Sequence, residues 1–139
     1  MPDNEVPEAR SDEVEFVLSW RADSRGRLTG HLEARNVCRH RVRLSGKPGL
    51  EPLGINDKPL GAACLVTLEM RVPGFVELAP GERARAPVGW AGWDGPPAGG
   101  TVIINWSGGA AKVPSDGPRQ PESRGPVTNL STSWFERAE

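Results

Sequence analysis

The sequence predicts an all-β fold, a small antiparallel β-sandwich, and three observations predict it. Apolar and polar residues alternate over Val14–Trp20, Val66–Val72 and Ala84–Trp90. Pro-Gly and Gly-rich turns fall between these runs, as at Gly46-Lys-Pro-Gly, Ala79-Pro-Gly-Glu and Gly108-Gly109. Alternation at period 2 marks strands with one buried face, and turn signals every ten residues or so mark a sandwich. No stretch carries the 3.6-residue periodicity of a long helix. The third observation is composition: 17 glycines and 14 prolines in 139 residues suit a turn-rich domain more than a helical bundle.

The elements follow in order. Residues 1–12 read as a disordered acidic lead. Glu13–Arg21 is the first strand, with Val14, Phe16, Leu18 and Trp20 inward. Asp23-Ser-Arg-Gly26 is a turn. Leu28–Asn36 is the second strand, with Leu28, Leu32 and Ala34 inward, and Arg41–Ser45 the third, with Val42 and Leu44 inward. Glu51–Leu60 reads as irregular, because Asn56-Asp-Lys-Pro is turn chemistry. Cys64–Val72 is the cleanest later strand, with Val66, Leu68, Met70 and Val72 inward and Thr67, Glu69 and Arg71 outward. Phe75–Leu78 is a short edge piece. Ala79-Pro-Gly-Glu has the signature of a type II turn, Pro then Gly at its centre. Arg83–Trp90 follows, and Pro87 within it suggests an edge strand, since proline cannot donate to a ladder. Trp93–Gly100 is a loop. Thr101–Ser107 is nearly all apolar and therefore central, and Ala110–Val113 closes a sandwich spanning 13–113. Residues 114–139 form a Pro/Ser/Gly-rich arm that ends in Trp134-Phe135.

Charge excludes some functions. Net charge is −1. The basic block Arg21–Lys47 lacks the interleaved aromatics of a single-strand binder, so it reads as a solvated face and no nucleic acid is expected. No apolar run approaches the roughly 20 residues of a membrane span. The polar, acidic N-terminus lacks the pattern of a secretory signal. The chain as it stands is expected to be cytoplasmic, or exported if a native signal peptide has been removed.

No catalytic, cofactor-binding or metal-ligating residue is assigned. There is no Gly-x-Ser-x-Gly elbow and no phosphate-binding loop. His31, Cys38, His40 and Cys64 match no zinc spacing. Cys38 and Cys64 lie on inward parity, as either two buried thiols or a cross-sheet disulfide. Trp20, Trp90 and Trp106 fall on inward positions. That leaves Trp93, in a glycine-rich loop, and Trp134 and Phe135, in the arm, as aromatic anchors, with Asn56 and Asp57 at another loop tip.

The order Asn36…Cys38…Leu44-Ser-Gly-Lys-Pro, Asn56-Asp, Leu78-Ala-Pro-Gly-Glu-Arg-Ala and Val88-Gly-Trp resembles the actinobacterial Domain of Unknown Function 4232 over about Trp20 to Val113. The resemblance implies an immunoglobulin-like sandwich, often exported or lipid-anchored and carrying a disulfide, and no catalytic residues to carry over; the termini around it read as disordered or extended. Gly46, Pro48, Pro80, Gly81 and Trp90 map onto it as structural positions. The expected function is that of a non-catalytic interaction module, with a protein partner or self-association through the C-terminal arm. A small-ligand-binding or catalytic accessory protein of a biosynthetic pathway is the first alternative, and carbohydrate binding through loop aromatics the second.

Overall fold

The computed structural model describes residues 6–66, 68, 70–122 and 130–138. Every regular element among them is a strand: β1 (Val14–Ala22), β2 (Leu28–Asn36), β3 (Val42–Ser45), β4 (Gly49–Gly54), β5 (Cys64–Val66), β6 (Phe75–Leu78), β7 (Arg83–Trp90), β8 (Ala98–Trp106), β9 (Gly109–Asp116), β10 (Leu130–Thr132) and β11 (Glu136–Ala138).

β1 and β2 form a hairpin in unbroken register, from Val14 opposite Asn36 to Ala22 opposite Leu28. Its turn is closed by Asp23, whose Oδ1 accepts the amides of Arg25 and Arg27 at 2.8 and 3.0 Å. Gly26 takes φ = 76°, which a Cβ would disfavour. β7 adds antiparallel to β2. β4, β8 and β9 make an antiparallel layer. A short parallel pairing of Leu18 and Ser19 with Ser115 and Asp116 joins that layer to β1. β3 and β6 pair separately.

The predicted inner faces meet between the layers. Val14, Phe16, Leu18, Trp20, Leu28, Leu32, Ala34, Ala84, Ala86, Val88 and Trp90 are all buried. They pack against Val102, Ile104 and Trp106 of β8, with the Phe16 and Trp106 ring centroids 4.7 Å apart. The turn at Ala79–Glu82 also forms as read: the Glu82 amide donates to the Ala79 carbonyl at 2.9 Å, and Gly81 has φ = 84°.

Several expectations need correction. The segment read as irregular begins with a strand, β4; Pro52 fits there because β4 is the outermost strand of its layer. β8 starts at Ala98, earlier than the predicted loop allows, and its amide donates to Gln120 Oε1 at 2.7 Å. β9 runs on to Asp116 because β1 supplies a parallel ladder beyond Val113.

β7 is not an edge strand. β10 and β11 both pair with it, β10 at Val88 and Gly89 and β11 at Arg83–Arg85. Pro87 sits where the ladder passes from one to the other, so its missing N–H leaves no gap. The arm read as a linker thus supplies strands. Its Ser123–Asn129 stretch lies outside the described residues.

Residues 7–9 of the expected disordered lead are docked. Ala9 is fully buried and its carbonyl accepts the Trp106 indole N–H at 2.8 Å. Glu8 receives hydrogen bonds from Ser45, from Ser107 at 2.5 Å and from Arg43 at 3.0 Å. Partial burial pushes the Glu8 carboxyl up, but the bonds from Ser107, Ser45 and Arg43 outweigh it and hold the group below its ordinary 4.5. A depressed carboxyl contributes stability that is present above its unfolded value and lost as pH falls through the folded one. Melting temperature should therefore fall more steeply below about pH 4.5 in the native chain than in Glu8→Gln; parallel acid limbs would show that Glu8 contributes nothing.

Candidate functional site

The segment after β5 departs most from its expected role. The ladder stops at Val66 because β5 has a parallel partner of only three residues, β10. Beyond it the parity inverts. Arg71, expected outward, turns onto the protein: its Nη2 lies 2.8 Å from Glu136 Oε1, and its guanidinium carbon 6.0 Å from the Trp134 ring centroid. Leu68, Met70 and Val72, expected inward, are 94%, 88% and 96% exposed. Thr67 and Glu69 lie outside the described residues, as does the Val66 side chain. An alternating row of large apolar side chains therefore stands in water, anchored from behind by an ion pair and a cation–π contact.

The other predicted contact residues are distributed differently. Phe135 is buried, 6.4 Å from the Phe16 ring, so it belongs to the core. Trp134 is half-buried, with Lys47 Nζ 4.9 Å above its ring. Trp93 stacks at 5.6 Å on Trp90 and donates its indole N–H to the Pro96 carbonyl at 2.8 Å. Trp20, Trp90 and Trp106 are buried, whereas Trp93 and Trp134 are only partly so. Asn56 and Asp57 do form an exposed tip beside Ile55. Asn56 Oδ1 accepts the Lys58 amide, Asp57 has φ = 64°, and its carboxylate meets Lys112 at 3.1 Å.

Cys38 and Cys64 are free and each is only partly buried, so neither the disulfide nor the fully buried pair describes them. Burial pushes the Cys64 thiol up, past the opposing effect of hydrogen bonds with the Leu50 backbone and the Thr132 side chain, which makes it a poor nucleophile. Cys38 belongs to a tight polar loop. The buried Asn36 accepts the Cys38 amide at 2.9 Å and donates to the carbonyls of His40 and Leu78, both at 2.9 Å. His40 Nε2 lies 2.8 Å from Glu13 Oε2, while its Nδ1 faces the Arg41 carbonyl at 2.9 Å. The Arg41 carbonyl first, and the Glu13 carboxylate after it, raise the imidazole above its ordinary value of 6.5.

Sequence reasoning weighed Cys38 and His40 and missed Glu13. The signal was available in the hairpin: a turn at Asp23–Gly26 sets Val14 opposite Asn36, and one step further puts Glu13 beside the Cys38 loop. The Val37 amide indeed donates to the Glu13 carbonyl at 3.0 Å. His31 lies elsewhere, on the outer face of β2. It lines an open groove of about 800 Å³ with Ser19, Arg21, Thr29, Pro87 and Asp116. No thiol and no second imidazole reaches that groove. Among the described residues no helix is long and apolar enough to cross a membrane.

The model of a family described as a domain of unknown function (DUF4232) matches residues 10–131. No curated protein and no solved structure matches.

Proposed function

We propose, from the premise that this chain belongs to the DUF4232 family, that it works as a non-catalytic interaction module whose contact surface is the Leu68–Val72 row. The observation that carries this reading is the near-complete exposure of Leu68, Met70 and Val72, with Arg71 between the last two anchored to Glu136. Three adjacent large apolar side chains in water are worth covering, at about 25 cal/mol per Å² of apolar surface removed from solvent. The preceding strand β5 and the Arg71 contacts with Glu136 and Trp134 hold the segment while these side chains stay exposed, the usual arrangement for contact loops on a sandwich. The partner is a protein offering a complementary apolar strip. The exposed Ile55–Asp57 tip is a secondary contact.

The triple variant Leu68→Ser, Met70→Ser, Val72→Ser tests this. Each position is surface-exposed, so stability should change by less than about 0.5 kcal/mol per substitution. Binding of a hydrophobic reporter dye, and any concentration-dependent association seen by light scattering, should be lost. A large drop in melting temperature would mean that the row is already covered by its own chain, and unchanged dye binding would move the contact surface elsewhere.

A further inference from the structure

We propose that Glu13, Cys38 and His40 form a three-ligand site for a divalent zinc-type cation, with the fourth position open to solvent. One carboxylate oxygen, one thiol sulfur and one imidazole nitrogen all lie within 4.8 Å of one another. Mixed sulfur, nitrogen and oxygen donors in a set of three are the ligand chemistry of an open zinc site. Around a tetrahedral ion the same atoms would stand about 3.4–3.6 Å apart, as bond lengths of about 2.0–2.3 Å require. Side-chain rotation has to close the widest of these separations by about 1.2 Å and open the 2.8 Å Nε2–Oε2 pair by about 0.6 Å.

The supporting contacts are already in place. His40 Nδ1 is taken up by the Arg41 carbonyl, which fixes the tautomer and leaves Nε2 for a metal. Nε2 and Glu13 Oε2, 2.8 Å apart, share a proton that a cation can replace. Glu13 is oriented through its other oxygen, which accepts the Arg10 amide at 2.9 Å. Asn36 holds both the amide of Cys38 and the carbonyl of His40, so the loop that carries two ligands is positioned by a buried side chain. Cys38 Sγ donates to the His40 carbonyl at 3.3 Å, and binding would release that proton to solvent as the thiolate forms. Half of the His40 side chain is exposed, which gives the ion an entry path and a place for water. The Arg10 guanidinium, 3.9 Å from Glu13 Oε1, opposes a cation, but its side chain is 75% exposed and free to swing away.

The site is independent of the apolar row, and its test is separate. The full chain, kept reduced, is titrated with zinc alone by calorimetry, and with cobalt(II) by absorbance. The expected result is one equivalent bound, with a thiolate-to-cobalt charge-transfer band. Cys38→Ser should abolish the band, and Cys38→Ser, His40→Ala and Glu13→Gln should each weaken zinc binding by at least about tenfold. Cys64→Ser and His31→Ala should bind as the native chain does. Failure to bind one equivalent overturns the proposal, and so does binding that survives Cys38→Ser unchanged or that falls equally in Cys64→Ser. Circular dichroism of each variant separates a lost ligand from a lost fold.

Discussion

Phe135→Ala is expected to cost about 3–5 kcal/mol of unfolding free energy, the usual range for emptying a buried phenylalanine site. The ring is 2% exposed and lies against Phe16, between the strands that close the second edge of β7. Total stabilities of single domains run to about 5–15 kcal/mol, so the substitution removes a large part of what holds the molecule folded. Equilibrium denaturation in urea reads it directly. Shortening the chain after Val113 goes further, because it also removes Leu130 and Thr132, both buried, and the parallel pairing of Ser115 and Asp116 with β1. Trp134→Ala should cost clearly less than Phe135→Ala, since Trp134 is only half-buried beneath Lys47. A near-neutral Phe135→Ala would mean that the arm is an appendage rather than part of the sheet.

The second large effect is at Asn36, which is 1% exposed. Its carboxamide makes three hydrogen bonds of 2.9 Å: to the Leu78 carbonyl at the end of β6, to the His40 carbonyl, and from the Cys38 amide. Asn36→Ala strands these groups where water reaches them poorly, and each unsatisfied buried group costs about 1–3 kcal/mol. A loss of about 3 kcal/mol is expected. Asn36→Asp should be worse, because a carboxylate would meet two carbonyl oxygens where the amide nitrogen now donates. Thermal or chemical denaturation of the two variants supplies the order; an aspartate variant as stable as the native chain would show that the loop repacks around the change.

Where strands have a buried face on one side only, the alternation in the sequence is sufficient. β1, β2 and β7 were legible almost to the residue, as were the turns at Gly26 and Gly81. Alternation does not say which face is buried, however. At Leu68–Val72 the apolar parity lies outward, because Arg71 engages Glu136 and Trp134, and those partners are sixty-odd residues away in sequence. Pro87 pointed to an edge strand, and β7 is not one, because a chain segment read as linker covers that side. β10 and β11 have three residues each, too few for a periodic signal. Ala9 is held by hydrogen bonds with Trp106 and Arg43, which no local pattern announces. For the Glu13–Cys38–His40 cluster, two members were visible through their chemistry. The third becomes visible only once hairpin register is used as a ruler.

The way β10 and β11 complete β7 also sets an order of events during synthesis. Trp90 ends β7 and Leu130 begins β10, so 39 residues separate the strand from the first of its covers. At translation rates of roughly 5–20 residues per second, β7 waits seconds with one edge bare. A bare edge is a template for pairing with another chain, and proline is one of the residues that blunts such a template. Pro87 sits at the middle of that temporary edge. On that bare edge it offers no N–H to a pairing strand, and in the finished protein it sits at the step where the ladder passes from β10 to β11, which leaves no gap.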